Sequence, residues 1–412
     1  MKRSFVPGAA AVLRITAVLL MALSMALAPC CASAETKLMV VSDIHYMDPS
    51  LYQGSELFLR SLHNGDGKIT QYSDELIAAL YQEIIRERPD ALIVTGDLTF
   101  NGEKKSHLTL AGWFADVEEA GIPVWVIPGN HDINSNPVRF EGNKYYGTEA
   151  VTPEDFAAIY ADFLEPGEAG FSYLAKTSDE LWVAMTDVSC YQQRAETYGM
   201  FSAGHAAWLE KALKSAQDES VRVVSATHHS LIAHTAFYKE SFLMSGNESM
   251  AALAEKYGMR LNLSGHLHIQ HIARDKDLTD AALGAFCIWP HRYALVTLGD
   301  SGLVYEAKSL SDLFLPEGFL ETSKEWFAGI ARDKASSSLT GTDEENRLMA
   351  DYVAKFNLAY FAGTYRKDDT AWTDDPGYAL WERHPGKPSW MYMKLLMGEA
   401  TGENLHWDES EQ

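Results

Sequence analysis

Apolar residues recur in this chain as short runs, and most of these runs end on a polar motif. Lys37–Ser42, Ala91–Thr95 and Val124–Pro128 are largely apolar and of strand length. Between them, Ser73–Arg88 and Lys105–Ala120 place apolar residues at helical spacing. Strand, helix, strand, helix, strand predicts parallel βαβ units. Arg88-Pro89 stops the first helix and Gly121-Ile122-Pro123 the second, because proline cannot continue a helix and glycine accepts the turn that ends one.

Residues 46–72 form a long polar and aromatic insertion after the first strand. Its turn cluster Asn64-Gly65-Asp66-Gly67-Lys68 is expected to be loop; as a calcium loop its ligand spacing is incomplete. Thr152-Pro153-Glu154-Asp155 opens another helix, with Thr as N-cap and Pro at the first helical position. Phe171–Ala175 and Leu181–Asp187 flank a turn and are expected to be antiparallel strands. A helix is expected at Gly204–Ala216, and buried strands at Val221–Ala226 and Arg260–Leu263. Phe286–Ile288, Tyr293–Leu298 and Leu303–Lys308 read as a closing meander. From residue 309 onward the pattern is helical and irregular, and its best helix starts at Thr342 and runs to about Ala362. Trp326, Trp372, Trp381, Trp390 and Trp407 all fall there, which points to a segment packed on the main domain. No internal repeat is visible, and Ser336-Ser337-Ser338 reads as a linker.

The chain has 412 residues, 47% hydrophobic and 22% charged, ample for a large core and too apolar for disorder. Lys2, Arg3 and Arg14 flank an apolar run, Ile15–Ala28, that leads to Ala32-Ser33-Ala34. This is the pattern of a secretory signal peptide, and the run is too short for a stable membrane span. Residues 1–34 are therefore expected to be removed and the protein exported to the periplasm, the cell surface or the medium. Lipid attachment at Cys30 or Cys31 is the weaker alternative, since Pro29 spoils the match to a lipobox. Without residues 1–34 the net charge is −26, against −23 for the whole chain. Such a surface repels nucleic acid and anionic membranes. A small anionic substrate stays compatible with it if metal ions make the site locally positive. Beyond residue 34 only Cys190 and Cys287 remain, too few for a disulfide framework. Two separate buried thiols are expected.

Five polar motifs carry the chemistry: Asp43-Ile44-His45, Gly96-Asp97, Gly129-Asn130-His131-Asp132, His228-His229 and Gly265-His266-Leu267-His268. Each leaves an expected strand. Asp43 and His45 are two apart, as are His266 and His268, so strand alternation would send both members of a pair the same way. The carboxyl ends of strands are where α/β proteins gather ligands. Carboxylate, amide and imidazole without cysteine suit borderline divalent ions such as zinc, iron or manganese. One motif alone would be a turn or a surface pair; five in series are hard to explain as packing.

In that order the motifs resemble those of the calcineurin-like metallophosphoesterases, over about residues 37–300. Trp208-Leu209-Glu210 resembles a helix common in that class. The resemblance implies a four-layer α/β/β/α sandwich of mixed sheets, with residues 35–308 as the catalytic domain. Residues 309–412 would be a mainly helical extension packed on it. Asp43, His45, Asp97 and His268 would hold one metal ion. Asp97, Asn130, His228 and His266 would hold a second, with Asp97 bridging. His131 looks like the catalytic acid, and Asp132 would support the site from behind. His229 competes with its neighbour His228 as the ligand. His229, His234 and His291 could line the site or be structural. Two ions about 3.5–4 Å apart would lower the pKa of a shared water toward ~7 and make a hydroxide nucleophile. The ions and His131 would offset charge on the phosphoryl oxygens, and His131 would protonate the leaving alkoxide. The expected activity is hydrolysis of a small phosphodiester such as a cyclic nucleotide, with a phosphomonoesterase or nucleotidase as the alternative. A binding protein without turnover would be expected to have lost part of this set, and the acidic charge counts against a nuclease.

Overall fold

The computed structural model describes residues 35–411 apart from 166, 168, 193, 236–241, 337–338, 340 and 400–402. The expected signal peptide and most of the expected Ser336–Ser338 linker lie outside the described residues. The strands are β1 (Thr36–Val41), β2 (Ala91–Val94), β3 (Val124–Val126), β4 (Val138–Glu141), β5 (Lys144–Gly147), β6 (Tyr173–Ala175), β7 (Leu181–Thr186), β8 (Arg222–Thr227), β9 (Leu261–Ser264), β10 (His271–Asp275), β11 (Leu278–Ala282), β12 (Arg292–Gly299), β13 (Gly302–Ser309) and β14 (His406–Asp408). They form two mixed six-stranded sheets, ordered β14-β13-β12-β1-β2-β3 and β10-β11-β9-β8-β7-β6, and a separate hairpin, β4-β5. β1, β2 and β3 are parallel, as are β7, β8, β9 and β11.

Leu38 and Val40 of the first sheet and Val183, Val224 and Leu263 of the second belong to one buried cluster, which fixes the sheets face to face. Helix α1 (Glu56–His63) lies in the insertion, and α2 (Ser73–Glu87) and α3 (Lys104–Glu119) cover the first sheet. In α2 the buried residues Leu76, Ile77, Leu80 and Ile84 make one apolar stripe. A short helix, α4 (Pro153–Ile159), begins with the expected Thr152 cap and Pro153, and Asp155 closes a capping box with Thr152. Helices α5 (Ala203–Glu219) and α6 (Asn247–Tyr257) cover the second sheet, with Trp208, Leu209, Leu213 and Met250 packed near Ala184. The result is the α/β/β/α sandwich of the metallophosphoesterase fold.

The C-terminal region adds α7 (Phe319–Ser336), α8 (Asp343–Phe361), α9 (Pro376–Glu382) and α10 (Pro388–Glu399). Its Tyr352, Phe356, Trp381, Trp390 and Leu396 share a core with Leu267 and Ile269, so this region packs directly behind the last polar motif. Trp381 and Trp407 are fully buried, and covering a large apolar side chain contributes about 1.5–3 kcal/mol.

Beside its expected loop at Asn64–Lys68, the insertion holds a helix: Ser55 caps α1, and Phe58 and Leu62 pack with Met47, Leu51 and Phe140. One expectation needs correction. Phe286–Ile288 is a turn rather than a strand; Phe286 and Cys287 donate to Ser42 O and Asp43 O at the end of β1. The C-terminal region is mainly helical, as expected, and also supplies β14, which extends the first sheet by pairing Trp407 with Tyr305. Cys190 and Cys287 are separate buried thiols, as expected.

Candidate metal centre

The five motifs follow β1, β2, β3, β8 and β9, so their side chains meet where the carboxyl ends of both sheets open on the same side. Strand alternation is not what aims them, contrary to the sequence expectation. β1 stops at Val41 and β9 at Ser264, and Asp43, His45, Asp97, His266 and His268 all adopt left-handed backbone, with φ between 45° and 65°. Asp and His tolerate that region better than most residues, yet it is strained and tends to mark functional sites. Two glycines allow the strand ends to close up. A Cβ on Gly129 would sit 2.2 Å from Asp97 Oδ1, and one on Gly265 would sit 1.9 Å from Ser42 Oγ.

Asp97 is the hinge of the centre. Its Oδ2 lies 3.5 Å from His45 Nε2 and its Oδ1 lies 3.3 Å from His228 Nε2. On the first side, His45 Nε2 faces His268 Nε2 at 3.3 Å, and His268 Nε2 is 3.3 Å from Asp43 Oδ1. On the second side, His228 Nε2 is 3.1 Å from Asn130 Oδ1, and the His266 ring centroid is 5.1 Å from that of His228. The candidate donors form two groups, Asp43–His45–Asp97–His268 and Asp97–His228–His266, all buried except His268, which is partly exposed.

The residues behind these donors orient them. His228 Nδ1 donates to Thr95 O at 2.9 Å, which leaves Nε2 to face the centre. Asp132, fully buried, accepts from Gly129 N, Leu98 N and Thr99 N, and so ties the second and third motifs together. Burial and the nearby Asp97 charge push Asp132 up to about 7 against those donors. Burial would also raise Asp97, but His228, His131 and His45 hold it well below the usual carboxylate range. Burial pulls His228 down, yet Asp97 more than offsets this and raises it to about 9. Burial and Lys68 pull His268 down, and Asp43 and Asp66 reverse that, again to about 9. The carboxylates thus draw positive charge to the imidazole nitrogens, the place a divalent ion takes when it displaces those protons. Converging buried imidazole and carboxylate donors without a thiolate fit such an ion.

His131 donates its backbone N–H to Asp97 Oδ1 at 2.8 Å. Its Nδ1 is 2.9 Å from Phe100 O and 2.8 Å from Asn101 Oδ1, and its ring centroid is 4.9 Å from that of His45. It therefore borders the first group without belonging to either. His229 packs its ring 4.3 Å from that of His266 and reaches Thr197 O with Nε2, so it lies beside the centre. His234 and His291 are not brought to it. His234 pairs with His271 and Asp280, and His291 bonds Phe286 O and Ser323 Oγ in the core.

Two residues at the centre escaped sequence reasoning. Asp66 Oδ2 is 3.0 Å from His268 Nδ1 and 3.0 Å from Lys68 Nζ. The turn cluster that holds them was visible, but nothing local in the sequence ties it to a histidine two hundred residues away.

Buried carboxylates and imidazoles at the strand ends of a two-sheet sandwich define a metal-dependent phosphoester hydrolase. Residues 36–270 match the model of the calcineurin-like phosphoesterases, and the chain belongs to that family. Residues 316–402 match the model for the C-terminal domain of cyclic nucleotide phosphodiesterase. Among curated proteins, the chain is 26% identical over 209 residues to the "Probable glycerophosphodiester phosphodiesterase GpdQ" of Arcobacter nitrofigilis, covering 49% of this chain and 67% of that one. It is 25% identical over 192 residues to a "Probable cyclic nucleotide phosphodiesterase" of a Synechococcus species, covering 46% of this chain and 62% of that one. The chain thus spans less than two thirds of the second relative. Among solved structures, a dimetal phosphatase from Danio rerio aligns at 13% identity with a TM-score of 0.49, over 67% of this chain and 96% of that one.

Proposed function

We propose that this chain is an exported phosphodiesterase that acts on a small phosphodiester, such as a cyclic nucleotide, with two divalent metal ions. The observation that carries the reading is the placement of Asp97, one carboxylate oxygen toward each imidazole group. Asp43, His45, Asp97 and His268 would hold one ion; Asp97, Asn130, His228 and His266 would hold the other. Bound there, such ions supply Lewis acidity and make water a nucleophile at neutral pH.

The protein's own groups do the rest. With Nδ1–H given to Phe100 O, a protonated His131 carries its second proton on Nε2, available to a departing oxygen. Burial lowers its pKa, which makes it the stronger acid. The preference for a diester is supported by the names of the two relatives and by the match over residues 316–402. Export is supported by the basic, apolar and small-residue pattern of residues 1–34; among the described residues no helix is long and apolar enough to cross a membrane.

Metal analysis of the purified protein, coupled to turnover of a substrate panel, tests the reading. Two metal equivalents with hydrolysis of diesters support it. A single equivalent, or turnover of monoesters alone, overturns the corresponding part. N-terminal sequencing of exported material should begin near Glu35; an intact Met1 or a lipid on Cys30 would refute simple cleavage.

A further inference from the structure

Lys68 stands on the Asn64–Lys68 loop, and its side chain is only 13% exposed. Burial opposes its charge, but Asp66 outweighs that and keeps the ammonium protonated. Asp66 ties it to the candidate metal centre. Lys68 Nζ and His268 Nδ1 both contact the same oxygen, Asp66 Oδ2, at 3.0 Å. The backbone is pinned there too: Ile69 N donates to Cys287 O at 2.9 Å, and Cys287 N donates to Asp43 O at 3.3 Å. Among the described residues, one carboxylate oxygen accounts for one of the three ammonium protons. A mostly buried ammonium with donors to spare is unfavourable unless something accepts from it.

The C-terminal region holds this loop. Trp326 Nε1 donates to Lys68 O at 3.1 Å and Lys334 Nζ to Gly65 O at 2.6 Å. His63, at the end of α1, meets Asp333 at 2.7 Å. Gly67, with φ +106°, leaves so little room that a Cβ would lie 2.3 Å from the Phe327 ring. Four contacts from α7 therefore set where Lys68 points.

We propose that Lys68 is a substrate-binding residue whose ammonium, steadied by Asp66, donates to a non-bridging oxygen of the phosphoryl group held at the metal centre. The proposal rests on the phosphoesterase reading above and gives α7 a task in it. A fixed cation on the side of Asp43 and His268 complements the metal charge and offsets negative charge as the phosphorus is attacked. A charge-assisted hydrogen bond of this kind is worth about 10- to 100-fold in binding.

The test compares the metal-loaded wild type with Lys68→Met and Lys68→Arg. Inorganic phosphate binding is measured by calorimetry, alongside kcat/KM, metal content and thermal midpoint. Lys68→Met should weaken phosphate binding and kcat/KM by about 10- to 100-fold at unchanged metal content, and Lys68→Arg should recover much of both. If Lys68→Met binds phosphate as the wild type does, or loses its metal, the proposal falls, because Lys68 then serves only the ion pair or the fold. Should Lys68→Met fail to fold, Lys68→Gln, which removes the charge but leaves Asp66 on His268, is held to the same outcomes. A wild type that binds phosphate through Lys68 but turns over no phosphoester would overturn the activity reading and leave the site standing.

Discussion

His291 Nε2 lies 2.8 Å from the hydroxyl of Ser323, and this buried bond joins the start of β12 to helix α7. The other ring nitrogen bonds Phe286 O at 2.8 Å, so the imidazole is satisfied while neutral. Burial brings its pKa down to about 4. The folded pKa is below the unfolded value, so the stability this group adds is complete above about pH 6.5 and fades as pH falls through 4. A shift of this size corresponds to roughly 3 kcal/mol. His291→Gln should therefore flatten the decline of the urea midpoint between pH 6.5 and 4. An unchanged slope would mean that His291 does not drive it.

Asp97 and His131 should separate under mutation. Asp97→Asn removes charge from the donor shared by both groups, so metal content and activity should fall together. His131→Ala should keep its metal, because it removes only a ring that borders the centre, while kcat drops by roughly 10²–10⁴-fold. The loss should shrink for a nitrophenolate leaving group, which needs no proton to depart. Loss of metal in His131→Ala would show that it is a ligand.

Asp66 orients His268 through Nδ1, and losing such a partner typically lowers metal affinity by about 10- to 100-fold. Asp66→Ala should release metal to a chelator correspondingly sooner than the wild type. Equal retention would remove Asp66 from the support of His268.

Gly67→Ala would force a Cβ into the Phe327 ring at a backbone angle that side chains rarely adopt. The strain is worth about 1–3 kcal/mol, and activity should fall with it as the loop is pushed away from His268. A variant with wild-type activity and thermal midpoint would show that the loop tolerates displacement.

Residues 309–411 share the core of Leu267 and Ile269 and add a strand to the first sheet. Limited proteolysis should accordingly yield no stable, fully active fragment ending at residue 308. Isolation of one would show that the region is an independent appendage.

The strands β1, β2, β3, β8 and β9, the helices α2, α3 and α5 and the meeting of all five motifs were legible in the sequence, because apolar runs and motif order are local signals; α6 was not. The posture of the ligands was not. Asp43 and His45 share a direction through left-handed turns past the end of β1, and no pattern of alternation announces a dihedral angle. Asp66 and Lys68 were missed for a different reason: their meaning depends on α7, which packs on the loop from far along the chain. β10, β11 and β14 were missed because each is short and lacks clean alternation. His234 and His291 look like the ligand histidines in sequence, and only their partners, Asp280 and Ser323, show them to be structural.

His45 waits for His268, 223 residues further on. At roughly 5–20 residues per second, a ribosome needs about 10–45 s to cover that stretch. Over that interval Asp97, Asn130, His228 and His266 are made in turn. The first group closes once β9 has paired with β8 and β12 with β1. A chain ending at residue 267 would carry all of the Asp97–His228–His266 group and lack only His268 of the other, so the first group is the one whose completion waits on the last residue of the last motif.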